Sequence, residues 1–362
     1  MIVAGAGMSG LVAAVRLREL GREATVCETG TRLGGSMLLS SGVAWRHLEW
    51  DDFRRECPGG EERLQRLVWE RLDDALEWLR ALGAPVVWEE TGNPLTVGKR
   101  FDPRGLAEAL ARRAPEVKLG ADALAERVDG ATILCTGGFA ASSELVATYV
   151  APAAALRLRA SPWSRGDGLR AGLERGAALS GGMDEFYGRN MPDAPWDETQ
   201  LVSLSQLYGR LARVFDEDGV EFFERGEVTW SETNVVQATA RRPGARAYYL
   251  LDEEALAGVV RDRTVAQMVE AAPAESRVAL GDLPFDPPAD AVAAVRVIAS
   301  ITHTIGGLRV DERARVLDDD GAAIHGLWAA GADAGGVATG GYASGLAQAL
   351  VLGLAAADDA AR

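Results

Sequence analysis

The first 28 residues constrain this chain more than any other stretch. Ile2-Val3-Ala4 reads as a short buried strand, Leu11 to Leu20 as a helix stopped by Gly21, and Glu23 to Cys27 as a second strand. Gly5, Gly7 and Gly10 stand between the first strand and the helix, with Met8 and Ser9 inside the turn. A tight turn requires the first glycine, close approach of a pyrophosphate the second, and close packing of helix on strand the third. The helix N-terminus then offers unpaired N–H groups to the phosphates. Glu28 closes the second strand, where a carboxylate can hold ribose hydroxyls, and Thr29 follows it. The alternative is a glycine turn without a ligand. With strand, helix and acid all present, the spacing favours a dinucleotide site, open at this point to either NAD or FAD.

Length and composition bound the rest. At 362 residues the chain has room for about two domains of ~150 residues. Its 25% charged and 48% apolar residues are those of a globular chain, not a disordered one. A net charge of −15 argues against nucleic-acid and anionic-membrane surfaces, which need a basic footprint. Three cysteines (Cys27, Cys57, Cys135), none closely paired, and three histidines make a disulfide framework or a zinc cluster improbable, so no metal is expected. Met1 leads straight into the first strand without a signal-peptide pattern, and Leu346 to Ala357 is too short an apolar run to span a bilayer. The expectation is a cytoplasmic protein.

Three later segments separate the two cofactors. Gly30-Thr31-Arg32-Leu33-Gly34-Gly35-Ser36, then Ser40-Ser41-Gly42, form a second glycine-rich loop after the acid, suited to a cofactor that continues past its adenosine half. Ile133 to Cys135 is another buried strand, ending in Thr136-Gly137-Gly138-Phe139. Gly326 to Ala330 is a strand leading to Gly331-Ala332-Asp333, an acid placed to bind a polyol. Gly335, Gly336, Gly340, Gly341 and Gly345 then precede an apolar helix. Glycines at 340, 341 and 345 could equally be plain turn residues.

Together with Gly166-Asp167-Gly168 and His303-Thr304-Ile305-Gly306-Gly307-Leu308, these segments resemble the flavoproteins of the fumarate reductase and 3-ketosteroid dehydrogenase superfamily, to which succinate dehydrogenase flavoproteins are similar. The resemblance covers most of the chain. It implies an α/β fold: a Rossmann-like FAD-binding domain of the glutathione-reductase type built from both chain ends, with an inserted α+β capping domain. The corresponding boundaries are 1–181, 182–288 and 289–362, since from Gly182 to Pro288 the glycine signatures stop and the sequence turns acidic and aromatic. Asp216-Glu217-Asp218-Gly219 reads as a hairpin turn with a solvated acidic face, and Glu221 to Glu224 as a strand. The chain is shorter than the usual family member: between Lys118 and Ile133 only a brief Ala/Glu helix-like run stands where relatives carry a β-meander, and the later part of the cap is trimmed as well. Ala153 to Ala155, after Pro152, reads as helix or its flank.

The resemblance further implies noncovalent FAD, the Gly35 region having no histidine or cysteine. Asp333 would hold the ribityl chain and Ser36 the pyrophosphate or flavin. The first N–H groups of a helix starting near Gly345, those of Gly345, Leu346 and Ala347, would face the flavin edge that gains charge on reduction. The family adds or removes two hydrogens across a C–C bond beside a carbonyl or carboxylate, so donors must polarise that oxygen. Tyr342 with the Gly345 N–H could supply them, packing being the other role for Tyr342. His303 sits where fumarate reductases bind a substrate carboxylate, although a histidine between Ile301 and Ile305 also suits a core. In the cap, Tyr187-Gly188-Arg189 and Tyr208-Gly209-Arg210 offer a proton-transfer tyrosine and an anion-binding arginine, or simply core and surface.

Two departures matter. The stretch matching the fumarate reductase acid, Glu232-Thr233-Asn234, has no arginine, and after Arg315 no arginine follows before Arg362. The pattern is therefore nearer the ketosteroid and tricarballylate dehydrogenases. The leading expectation is an FAD-dependent CH–CH dehydrogenase or reductase acting on a small ketone or carboxylate, with its electron partner and oligomeric state left open. A nicotinamide-dependent oxidoreductase and a flavin-binding protein without catalysis are the alternatives.

Overall fold

The computed structural model describes residues 1–125, 130–150, 156–260 and 262–362. Pro152 with Ala153 to Ala155, and the end of the Ala/Glu run, lie outside them. The opening stretch folds as β1 (Ile2–Ala4), α1 (Met8–Glu19) and β2 (Thr25–Glu28). Gly21 ends α1 as expected: at φ +70 it lets Arg22 N–H return to the carbonyl of Leu17 at 2.9 Å. There follow β3 (Val43–His47), α2 (Trp50–Glu56), α3 (Glu62–Ala81), β4 (Val86–Trp88), β5 (Thr96–Phe101), α4 (Pro103–Arg113), β6 (Val117–Leu119), β7 (Thr132–Leu134) and α5 (Ser143–Tyr149). Leu64, Val68, Leu72, Ala75, Leu76 and Leu79 recur at helical spacing, and they form the buried stripe of α3. α4 starts where Pro103 follows Asp102, whose carboxylate caps the Gly105 N–H at 2.6 Å.

The chain divides into two compact units. The first comprises Met1–Tyr149, Ala160–Phe186 and His303–Arg362; the second comprises Val150–Arg159 and Tyr187–Thr302. β8 (Arg157–Leu158) belongs to the second unit and α6 (Asp167–Glu174) to the first.

In the second unit the order is β9 (Phe186–Pro192), β10 (Arg213–Phe215), β11 (Glu221–Phe223), α7 (Thr233–Ala240), β12 (Arg246–Leu251), α8 (Glu253–Ala257), β13 (Val259–Val260), β14 (Arg263–Thr264), α9 (Val265–Ala271), β15 (Arg277–Val278) and β16 (Ala293–Thr304). Its sheet runs β11-β10-β12-β16-β15, with β8 and β9 also on β16. β16 explains why the return to the first unit falls at 303 and not near 289: a 12-residue strand in the middle of a sheet cannot be divided between units at its start. A buried carboxylate organises one side. Asp193 accepts from Arg157 at 2.9 Å, Arg246 at 2.7 Å and Arg296 at 3.0 Å. The hairpin turn expected at 216–219 is present, but Asp216 is not on a solvated face. It is 6% exposed, and its side chain accepts from the N–H groups of Asp218 and Val220.

The first unit is completed by β17 (Arg315–Leu317), β18 (Ala323–Ala329) and α10 (Gly345–Ala360). Its main sheet has the order β17-β18-β7-β1-β2-β6, parallel except for β17. α10 therefore comes from the far end of the sequence to lie on α1. The contact is close because Gly353 has no side chain: a Cβ there would stand 2.8 Å from the Ser9 carbonyl oxygen. β3, β5 and β4 make a separate antiparallel sheet. Among the described residues no helix is long and apolar enough to cross a membrane.

β3 ends in His47, which is 6% exposed and packs against Trp45 and Phe53 at ring-centroid distances of 5.3 Å each. Neither ring nitrogen has a hydrogen-bond partner among the described residues. Burial pushes its pKa down to about 4, against the weaker opposing pull of Asp52. The unfolded chain thus takes up a proton below pH 6.5 that the folded chain refuses until about pH 4. Stability is intact above pH 6.5 and falls as pH drops through this window, by up to about 3 kcal/mol at its lower end. His47→Phe keeps the ring contacts and removes the proton. Urea unfolding at a series of pH values is expected to show the wild type losing stability relative to this variant between pH 6.5 and pH 4, and parallel curves would contradict the assignment.

Candidate functional site

The glycines of the opening turn divide by what surrounds them. A Cβ on Gly5 would stand 2.1 Å from the Cys135 carbonyl oxygen, and one on Gly10 would stand 1.9 Å from that of Gly5. These two are fixed by contact of backbone on backbone. A Cβ on Gly7 would meet nothing within 4 Å. Gly7 is also the N-cap of α1, with no side-chain cap and no acidic residue in the first turn through Met8, Ser9 and Gly10. An uncapped helix end beside open space is a place for an anion.

The second glycine loop lies against the first. Gly34 donates its N–H to the Ala6 carbonyl at 2.8 Å, and the Cβ direction of Gly35 points to Gly7 Cα at 3.3 Å. Arg32 stands on this loop, half-buried. Ser36 Oγ accepts the Ser161 N–H at 3.0 Å. Ser41 and Gly42 do something else: they lead into β3, where a Cβ on Gly42 would stand 2.1 Å from the Phe101 carbonyl oxygen. Glu28, 8% exposed, accepts from Ala6 N–H at 2.8 Å and from Gly30 N–H at 2.7 Å, and half-buried Thr29 lies between. The Trp163 indole packs on Gly30 beside this carboxylate, an aromatic neighbour that no local pattern in the sequence reveals.

The carboxyl ends of β7 and β18 bring together Thr136, Gly137, Gly138, Gly331 and Asp333. Asp333 is 1% exposed, and its carboxylate takes the Thr136 N–H, the Thr136 hydroxyl at 2.9 Å and the Gly138 N–H at 2.9 Å. Burial raises its pKa, and these donors oppose the rise. Its structural partners are thus the turn residues of the other strand. Gly168 closes on the same group, its N–H donating to Thr136 Oγ1 at 3.0 Å, and adjacent Asp167 has its pKa raised by burial. Gly306 packs on the Met183 backbone, and Gly307 lies against the Asp333 carbonyl. Thr304 Oγ1 is buried here without a hydrogen-bond partner among the described residues, facing Gly138. It was visible in sequence only as the neighbour of His303.

A third group forms where α10 begins. Ser344 caps the helix and takes the Ala347 N–H at 3.3 Å, so the three N–H groups expected to face a ligand reduce to those of Gly345 and Leu346. A Cβ on Gly345 would stand 2.9 Å from His303 Nε2. His303 Nδ1 lies 3.1 Å from the Thr304 carbonyl oxygen, an acceptor, so the proton sits on Nδ1. Burial lowers the His303 pKa, keeping the ring neutral near pH 7. The Tyr342 ring is 6.0 Å from that of His303 and 5.8 Å from that of Trp45. His303, Tyr342 and Gly345 are thus together.

The residues expected in the cap fall out differently. Arg189, 8% exposed, donates to the Ser231 carbonyl and stacks 5.0 Å above the Tyr187 ring, which stays half-exposed. Tyr208 is a correction: fully buried, it donates to Gln206 Oε1 and packs edge-on to Tyr249 at 5.7 Å. Burial raises its pKa far out of the working range, so it is a core residue and not a proton carrier. Among the described residues no cluster of metal-ligating side chains occurs.

The uncapped α1 end, the open face of Gly7 and the unpartnered Thr304 hydroxyl suit an extended dinucleotide with phosphates at the first turn. Comparison with known proteins agrees. A family model described as an FAD binding domain matches residues 1–127 and 120–345. A probable fumarate reductase, Ifc3, of Shewanella frigidimarina is 23% identical over 447 aligned residues, covering 100% of this chain and 74% of the relative. In fold, the chain is similar to the 3-ketosteroid delta1-dehydrogenase of Sterolibacterium denitrificans, with a TM-score of 0.73, 17% identity, and coverage of 99% of this chain and 98% of the other. The 3-ketosteroid-delta4-(5alpha)-dehydrogenase of Rhodococcus jostii gives 0.71, 18%, 100% and 96%. A flavocytochrome c3 fumarate reductase in its open conformation gives 0.71, 20%, 99% and 77%.

The two kinds of glycine separate experimentally. Gly10→Ala forces a methyl into backbone and is expected to lower stability by about 2 kcal/mol or more. Gly7→Val points into open space, and should leave the melting temperature of the cofactor-free protein unchanged while weakening FAD binding at least about tenfold. Thermal melts paired with FAD titration check both; a Gly7→Val protein with normal FAD affinity would refute the phosphate cradle.

Proposed function

Because the chain belongs to the FAD binding domain family and is, with it, an FAD-dependent oxidoreductase, we propose that it dehydrogenates, or in reverse reduces, a C–C bond next to a ketone. The observation carrying this reading is the meeting of His303, Tyr342 and Gly345 at the start of α10. Glu28 and the α1 N-terminus would hold the adenosine and pyrophosphate, with Asp333, Thr136 and Thr304 along the polyol. When bound, FAD supplies the hydride acceptor or donor.

The side chains would manage the proton and the carbonyl. The Tyr342 hydroxyl and the Gly345 N–H, at a positive helix end, stabilise the charge that develops on the ketone oxygen. That makes the adjacent C–H acidic. His303 Nε2 carries a lone pair, because Nδ1 holds the proton against the Thr304 carbonyl, and can therefore accept the proton released from carbon. The same lone pair repels a carboxylate, which favours a ketone as the polarising group of the substrate.

The purified protein should be yellow. Anaerobic bleaching of its flavin against ketosteroids, cyclic ketones and polycarboxylates tests the assignment, with ketones expected to reduce it and polycarboxylates not. His303→Ala and Tyr342→Phe should each slow bleaching about a hundredfold or more while retaining FAD. Since burial lowers the His303 pKa, the wild-type rate should persist to more acidic pH than an ordinary histidine base allows. Unchanged rates in both variants would remove them from the mechanism.

A further inference from the structure

The loop that leads to Tyr342 does not hold itself. Its glycines lie directly on the end of α2 and the segment Cys57-Pro58-Gly59 that follows it. A Cβ on Gly341 would stand 1.8 Å from the Glu56 carbonyl oxygen, and one on Gly340 would stand 2.9 Å from Pro58 Cδ. Gly59 N–H donates to the Thr339 carbonyl at 3.1 Å, and Glu61 N–H to the Gly336 carbonyl at 2.7 Å. The Tyr342 N–H is itself directed at the Cys57 thiol. Two loops distant in sequence are therefore zipped together along their backbones.

At their centre is Gln65, a polar side chain with no exposed surface, on the first turn of the 20-residue helix α3. Its Nε2 donates to the Cys57 carbonyl at 2.9 Å and to the Val337 carbonyl at 2.9 Å, one from each loop. Its Oε1 accepts from Arg54, which also donates to the Gly60 carbonyl at 2.9 Å. Both amide protons are used, and the space is closed: a Cβ on Gly60 would stand 2.0 Å from Gln65 Nε2. A buried, fully satisfied polar network of this kind admits a single arrangement, since any shift strands a donor or acceptor.

We infer that Gln65 is a positioning residue for the active site: by stapling loop 57–60 to loop 336–341, it fixes Tyr342 and the first turn of α10. The effect on flavin rests on the proposed function; the staple itself does not.

The test is hydrogen exchange by mass spectrometry on the protein as purified, with the flavin spectrum and FAD affinity measured alongside. Gln65→Leu is expected to speed exchange of residues 336–345 by about tenfold or more, leaving 2–4 and 132–134 unchanged. Gly60→Ala displaces the amide from the other side, and its Cβ also stands 2.5 Å from the Val337 carbonyl oxygen. It should give the same increase, and the double variant less than about twofold more, as expected for one shared interaction. Both variants should also shift the visible flavin bands and raise the FAD dissociation constant about tenfold. Unchanged exchange in a folded Gln65→Leu protein overturns the inference; if that variant does not fold, Gln65→Glu, which keeps the side-chain length but loses both Nε2 donors, decides in its place. Faster exchange with an unaltered flavin spectrum overturns it too, since the loop would then move without moving the site. A wild type that binds no FAD refutes the proposed function and leaves the exchange comparison to decide the staple.

Discussion

Everything in the first unit depends on three backbone segments approaching more closely than side chains would permit. Gly10 lies on the Gly5 carbonyl, and Gly5 lies on the carbonyl of Cys135 at the end of β7. This pins the start of α1 against the strand ends, with its first turn left without a side-chain cap. The same close approach recurs when Gly353 of α10 settles on Ser9 of α1. One helix is thereby fixed by both ends of the chain. A methyl group at any of these positions would meet backbone, which has nowhere to go.

What was legible in sequence follows from how local the causes are. β1, α1 and the start of α10 stand where their glycines and apolar runs put them, because turn geometry and helix periodicity act over a few residues. The limits of the second unit were not legible. They depend on the partners of β16, above all on β8, which is separated from it by more than a hundred residues. The burial of Asp216 and Tyr208 is not legible for a related reason. An acidic turn and a Tyr-Gly-Arg run carry no mark of burial, which here is decided by Arg242 and by Tyr249. Gln65 could not be found from its own surroundings either, since its partners Cys57 and Val337 are joined only in the fold.

Polar burial is used in two distinct ways. In the second unit, Asn190 donates to Thr239 and Tyr249, and Asp193 takes three arginines, so the polar groups fix strands and helices to one another. In the first unit, the buried groups at the carboxyl ends of β7 and β18 include Thr304, whose hydroxyl finds no partner among the described residues. An unsatisfied buried hydroxyl costs about 1–3 kcal/mol. A hydrogen-bonding ligand along that edge would recover it, which is the thermodynamic reason to place a polyol there.

The electrostatics around α10 then bear on the kind of substrate. Two rings pack near that of Tyr342: Trp45, and a histidine whose charge burial opposes. On the proposed function, a carboxylate brought here would shed its hydration to lie beside the His303 lone pair and two ring edges. On the same proposal a ketone would lose less on entry, and would gain most when its oxygen becomes negative, at the moment the two donors are best matched to it. In a chain of net charge −15 the same preference is reinforced at long range, since an anion approaches against the field and a neutral ketone does not.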